Sequence, residues 1–199
     1  MSARDEILQA LRNNRPTPEN HPLPPVATLG DLDASRERFI TSLKILGGDV
    51  LEPVEGETLD EAILRRHPDA KVICSNVPEA RGTLPVERIK TPQDAATIDV
   101  TVVRAAFGIA EMGSIFLSEA QLPINSFAHL GQHIVVLLSA DAITANMHTA
   151  YQKQPEFRSA NYGVLMSGPS ATADIQGVLI RGAQGVRTLS VWFTCQQSA

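Results

Sequence analysis

Two hydrophobic periods share this chain. Stretches with apolar residues at helical spacing alternate with short, nearly unbroken apolar runs. The first pattern builds one face of a helix, and the second suits a strand covered on both sides. Leu32, Phe39, Ile40, Leu43 and Leu46 predict a helix that stops at Gly47-Gly48. Val50-Leu51 predicts a short strand, Leu59, Ile63 and Leu64 a helix ending before Pro68, and Lys71 to Ser75 a strand. Pro92 to Ala96 reads as a helical turn. Ile98 to Phe107 reads as one long Val-rich strand, followed beyond Gly113 by a second strand, Ser114 to Ser118. Joined through Gly108 to Gly113, these two look like an antiparallel excursion. His133 to Leu138 is a strongly apolar strand, and Asp141 to Tyr151 a helix. Tyr162 to Met166 reads as a strand buried on both faces, feeding a helix near Asp174, before a last strand, Thr188 to Thr194. Strands alternating with helices imply an α/β fold with a mainly parallel sheet covered by helices on both faces.

Ahead of this pattern, Ser2 to Arg12 predicts a short helix with Ile7, Leu8 and Leu11 on one face and Ser2 as its cap. The segment Asn13 to Leu29 carries Pro16, Pro18, Pro22, Pro24 and Pro25, which rules out helix and central strand and predicts an extended linker. The organisation is therefore an N-terminal helix and Pro-rich linker over 1–30 and an α/β domain over 31–199. The helix suits packing on a neighbour or partner chain and equally suits a free tail.

A chain of 199 residues with 43% apolar content has room for one full core. The net charge of −5, with no basic run longer than Arg65-Arg66, excludes nucleic acid as an expected partner. Cys74 and Cys195 are the two cysteines, each at an apolar run, and read as buried structural thiols. No Cys-x-x-Cys pair exists to ligate an iron–sulfur cluster or structural zinc, so no cofactor of this kind is expected on the chain. The segment after Met1 lacks the apolar run of a signal peptide, and no stretch approaches membrane-spanning length. A cytoplasmic protein away from membranes is the expectation.

Four segments carry candidate chemistry. In Gly163 to Ile175, Gly168-Pro169 ends a strand, Ser170 or Thr172 is placed to cap a helix, and Asp174 falls in its first turn. A hydroxyl-lined helix start after a strand is where an α/β sheet binds anions, though an ordinary capped helix has the same look. In Ala106 to Ser114, glycines flank one carboxylate, Glu111, suited to act as a general base or to orient a substrate hydroxyl; a bulged hairpin with a solvated Glu111 fits equally. His129 and His133 stand four apart, but Leu130-Gly131 interrupts any helix, so His133 reads as a hydrogen-bond donor at a strand start and no metal site is expected. His21 and His67 fall in turns and read as surface residues, and His148 as exposed on a helix. In Arg181 to Arg187, Gly182 and Gly185 make a loop from which Arg187 could reach an anion or face solvent. No dinucleotide fingerprint, Walker loop or nucleophile elbow is present. Motif reading alone ends at an anion-binding domain without a reaction.

Taken together, Gly108-Ile-Ala-Glu-Met-Gly-Ser114, Leu122-Pro123, His133-Ile-Val-Val136, Gly168-Pro-Ser-Ala-Thr-Ala-Asp-Ile175 and Gly182-Ala-Gln-Gly185 resemble, in order and spacing, the LUD domain family in its lactate utilization protein C (LutC, also YkgG) branch. The resemblance implies a NagB/RpiA/CoA-transferase-like fold. It implies a subunit, without its own redox centre, of a multi-component system that oxidises L-lactate to pyruvate and whose partner subunits carry the iron–sulfur clusters. It places the ligand, a small carboxylate or phosphate, between the Glu111 loop and the Ser170 segment. Glu111 is then the catalytic candidate. Gly108, Gly113, Ser114, His133, Gly168, Ser170, Thr172, Asp174 and Arg187 are the ligand-binding candidates. Homo-oligomer formation is compatible with it. The chain departs from the family pattern at Met112 and Ser114, where Thr is common. Ala171 replaces a usual Arg, and Gly182-Ala-Gln-Gly-Val186 replaces Gly-x-His-Gly-Pro. These losses leave two other readings open: a stand-alone enzyme of the cyclo-ligase or sugar-phosphate isomerase type, and a non-catalytic structural or regulatory subunit.

Overall fold

Side-chain caps mark the start of five of the seven described α-helices. The computed structural model describes residues 2–15 and 33–194. Helix α1 (Ala3–Asn13) opens on a reciprocal capping box between Ser2 and Asp5. α2 (Arg36–Ile45) opens on Ser35, whose hydroxyl accepts from the Arg38 amide. After strand β1 (Asp49–Val50), α3 (Leu59–Arg66) opens on a Thr58–Glu61 box and stops before Pro68. β2 (Ile73–Ser75) follows, then a 3-10 turn and α4 (Pro92–Ala95), which carries Pro92 in its first turn behind a Thr91–Asp94 box. The chain continues through β3 (Val100–Arg104), β4 (Phe107–Ile109), β5 (Ser114–Ser118), α5 (Phe127–Leu130) and β6 (His133–Ser139). It ends through β7 (Ile143–Thr144), α6 (Met147–Lys153), α7 (Glu156–Ser159), β8 (Gly163–Met166), β9 (Ala171–Thr172), β10 (Ile180–Arg181) and β11 (Thr188–Thr194). Most of the proposed linker and Cys195 lie outside the described residues.

A five-stranded sheet in the order β1-β11-β6-β3-β2, with every pairing parallel, forms the centre. Its strand residues alternate between two faces. Val100, Val102, Val135 and Leu137 pack on Leu59, Ala62 and Ile63 of α3. Ile134, Val136, Leu138, Leu189 and Val191 pack in one cluster with Phe39 and Leu43 of α2 and Phe127 and Ala128 of α5. Each fully buried side chain of this kind contributes about 1.5–3 kcal/mol. A four-stranded sheet, β7-β4-β5-β8, lies against that second cluster through Ile115 and Leu117. Its other face is aromatic: the Phe107 and Phe116 rings stack with centroids 4.7 Å apart, and Phe157 of α7 tilts over both.

Four expectations are corrected. The long strand over Ile98 to Phe107 is two strands in different sheets. The switch falls between neighbours: the Ala105 amide bonds Leu137 in the parallel sheet, and the Ala106 amide bonds Phe116 in the other. The segment Asp141 to Tyr151 is helical only from Met147, because Ile143 and Thr144 extend the second sheet beside β4 and Asn146 caps the helix behind them. The strand at Gly163–Met166 is partly exposed and pairs antiparallel with β5, and is not a parallel strand covered on both faces. The helix expected at Asp174 is a β-hairpin, β9 paired antiparallel with β10. Gln176 and Gly177, with φ of 56° and 72°, reverse the chain at its tip. Ile175, Val178 and Leu179, which carry the helical spacing, are 54%, 59% and 60% exposed and face no core. Among the described residues, no helix is long and apolar enough to cross a membrane.

Candidate functional site

The N-terminal ends of the parallel strands are tied into one rim by backbone hydrogen bonds. The His133 amide donates to Asp99, the Gln132 amide to Ile98, and the Arg187 amide to Gln132, at 2.8, 3.1 and 2.7 Å. The Asp99 carboxylate accepts the amides of Lys71 and Val72 at 2.8 and 2.9 Å, which fixes the start of β2 to the start of β3. These two amide bonds hold the Asp99 carboxyl below the usual carboxylate range. A cleft of about 560 Å³, a size suited to a small molecule, opens at this rim. It is lined by Arg66, His67, Asp99, Gln132, His133 and Arg187, with Pro68 to Ala70 as one wall.

Two imidazoles form its core. Strand alternation puts His133 on the α3 face of β6, with Val135 and Leu137. His67 ends α3 on that same side, its amide still bonded to Ile63. The two rings stack with centroids 4.1 Å apart and planes 26° from parallel. His133 Nδ1 lies 2.8 Å from the Thr188 hydroxyl on the neighbouring strand. His67 is only 9% exposed, and its Nε2 is buried with no hydrogen-bond partner. A buried imidazole nitrogen without a partner costs free energy and marks a place for a missing one. Burial, then the adjacent His133 and Arg66, push His67 down to about 4. Burial first, and then Arg187, also lower His133, against an opposing pull from Asp99. Both rings are therefore neutral at neutral pH.

Two guanidinium groups reach the cleft. Arg66 is engaged, 3.2 Å from the Asp49 carboxylate. Arg187 is exposed and makes no ion pair among the described residues. Its stem passes over Gly182, where a Cβ would come within 2.4 Å of the Arg187 Cγ. The arrangement offers one free guanidinium beside neutral imidazoles, suited to a small oxyanion and to accepting a proton from it.

His133 and Arg187 are thus brought together, whereas the other sequence candidates stand elsewhere. The Ser170 amide bonds Val186, and Thr172 accepts the amide of Asp174 in a turn; with no helix behind them, neither forms a helix start. Asp174 is exposed near the hairpin tip. Glu111 is exposed on the β4–β5 turn, 3.4 Å from the first amide of α6, and does not line the cleft. Gly108 packs on Leu138 and Phe39 in the core. Gly113 and Gly168 pack on the end of α2. Ser114 is buried and shares a 2.6 Å hydrogen bond with Ser167. His129 pairs with Tyr162 at 3.1 Å, apart from the hydrogen bond of His133. His67, read as a surface residue, is buried, because Pro68 turns the chain and leaves it under the rim. Its place before Pro68 and after an amphipathic helix was the signal available. His148 is half-buried on α6.

The charge state of His67 makes a stability prediction. Between about 4 and 6.5 the unfolded chain binds more protons here than the folded protein, so stability rises with pH across this window and is lost on acidification. The full loss is on the order of 3 kcal/mol. Denaturant titrations from neutral to acidic pH should show a shallower loss for His67→Phe than for wild type; identical slopes would contradict the buried neutral imidazole.

Comparison with known proteins agrees with the fold. A crystal structure of a DUF162 family protein from Deinococcus radiodurans has a TM-score of 0.58 to this chain at 17% identity, covering 79% of this chain and 94% of that one. No curated protein matches the sequence. The family model for the LUD domain matches residues 54–193, a span that holds both sheets from β2 onward and every residue lining the cleft. The chain belongs to the LUD domain family.

Proposed function

We propose that this protein is a LutC-like cytoplasmic subunit of a multi-component system oxidising L-lactate to pyruvate, and that the His67–His133–Arg187 cleft holds its small anionic ligand. The supporting observation is convergence: His133, from one family-like segment, and Arg187, two residues beyond another, meet at a buried imidazole with an unpartnered nitrogen. In this reading Arg187 takes the carboxylate or phosphate of the ligand. A neutral imidazole beside it accepts or donates the hydrogen bond of a neighbouring hydroxyl. The general base is then an imidazole, and Glu111 stands outside the site. Electrons leave through the iron–sulfur partner subunits that the family resemblance implies. Exposed apolar side chains on α1, Ile7 and Leu11, and on the β9–β10 tip support a chain that meets partners.

The test is reconstitution. The protein mixed with the cluster-bearing subunits should assemble and show lactate-dependent dye reduction. Assembly with intact clusters and no lactate-dependent reduction would overturn the lactate reading and favour the structural or regulatory one.

A further inference from the structure

The charges around the cleft nearly cancel, and that balance decides how an anion can be held. The charged groups lining the cleft beside the imidazoles are Arg66 from α3, Asp69 from the α3–β2 connection, Asp99 ahead of β3 and Arg187 ahead of β11, while Lys71 acts on Asp99 from outside the lining. Asp49 on β1 occupies Arg66. Arg66 and Arg187 are therefore offset by Asp69 and Asp99 at the lining itself. With both imidazoles neutral, the cleft carries no surplus positive charge for an anion.

We propose that the stacked His67–His133 pair takes up one proton from solvent together with the anion, so that the cleft is a proton-coupled oxyanion site whose affinity rises as the pH falls. This rests on the assignment of the ligand to the cleft made above. The geometry carries it. The His67 Nε2 is buried and lacks a partner, so an oxyanion oxygen would satisfy it only as a donor. Thr188 holds His133 at Nδ1, and its Nε2 makes no hydrogen bond among the described residues. Rings 4.1 Å apart disfavour a second proton, because two like charges would face each other across the stack. With the cleft empty, burial and the arginines keep the pair neutral. A bound anion offsets the arginine charge and favours the imidazolium. Linkage requires the reciprocal effect, tighter anion binding by the protonated pair. No bond to the ligand forms or breaks; the proton alone moves, from water to a ring nitrogen.

Sulfate and lactate serve as probes, since neither titrates near neutrality. Calorimetric titrations of the full chain at about pH 6 and about pH 8, each in two buffers of different ionisation enthalpy, read affinity and proton uptake together. The expected result is affinity falling up to about tenfold per pH unit above the histidine titration, with uptake approaching one proton. Proton-linked binding of sulfate supports a phosphate-like ligand for the site, and of lactate a carboxylate; either supports the coupling. His67→Gln should flatten the pH profile, but the wild-type proton count stands without it. Binding that is independent of pH and takes up no proton overturns the coupling and leaves the cleft as the site. Absence of binding at both pH values overturns both.

Discussion

Gly113→Ala is expected to destabilise the protein by about 3 kcal/mol or more, a large share of a domain's total stability. A Cβ at Gly113 would stand 2.2 Å from the Leu43 amide nitrogen and 2.4 Å from its Cα. Both are backbone atoms of α2 and cannot swing aside. The residue also has φ of 58°, where an L side chain is strained by about 1–2 kcal/mol. Helix α2 delivers Phe39 and Leu43, both fully buried, into the core shared by the two sheets, so displacing it disturbs both. Gly168 meets the same helix end at the Leu46 carbonyl. Gly177 is the control: its φ is 72° and a Cβ there meets nothing within 4 Å, so Gly177→Ala should cost only the backbone strain. Urea denaturation of the three proteins separates the effects. Equal losses for both variants would show that α2 does not depend on this close approach.

Much of the fold was legible from period alone. The run His133 to Leu138 is apolar at every second position on both sides, and it became the central strand with helices over both faces. The start of the first helix was legible from Ser2, whereas the same hydroxyl–acid spacing at Thr58 and Glu61 went unread. What period could not show was which sheet a strand joins. Ile98 to Phe107 is Val-rich and interrupted only by single polar residues, Asp99, Thr101 and Arg104, yet the chain changes sheets at Ala105-Ala106. Period also misled at Ile175, Val178 and Leu179. Helical spacing carries no information about burial, and two residues with positive φ turned that stretch into a hairpin.

The candidate cleft was legible only in part. Arg187 and His133 could be singled out because each stands at the start of an apolar strand beside glycines. Their meeting depends on β6 and β11 being neighbours in register, Thr188 opposite His133, which no local signal encodes. The glycines read as ligand-binding have a packing role in Gly108, Gly113 and Gly168, because close approach to a ligand and close approach to a helix need the same missing side chain. His67 was hidden by its turn-like surroundings.

Arg187→Ala is expected to weaken anion binding about 10- to 100-fold, the value of one charge-assisted hydrogen-bonded pair. The side chain is exposed and has no ion-pair partner among the described residues, so the fold should be unchanged. Arg187→Lys should recover only part of the loss, since an ammonium cannot offer the two parallel donors of a guanidinium. The same change removes a nearby positive charge, so His133 should titrate at higher pH in the alanine variant. The most direct test follows the imidazole nitrogens by NMR while lactate, and separately sulfate, is added to protein labelled at histidine. His67 and His133 should respond together in wild type while His148, on helix α6, stays still, and the response should need at least tenfold more anion in Arg187→Ala. Anion binding that leaves the His67 and His133 signals unmoved, or that Arg187→Ala does not weaken, would contradict this expectation.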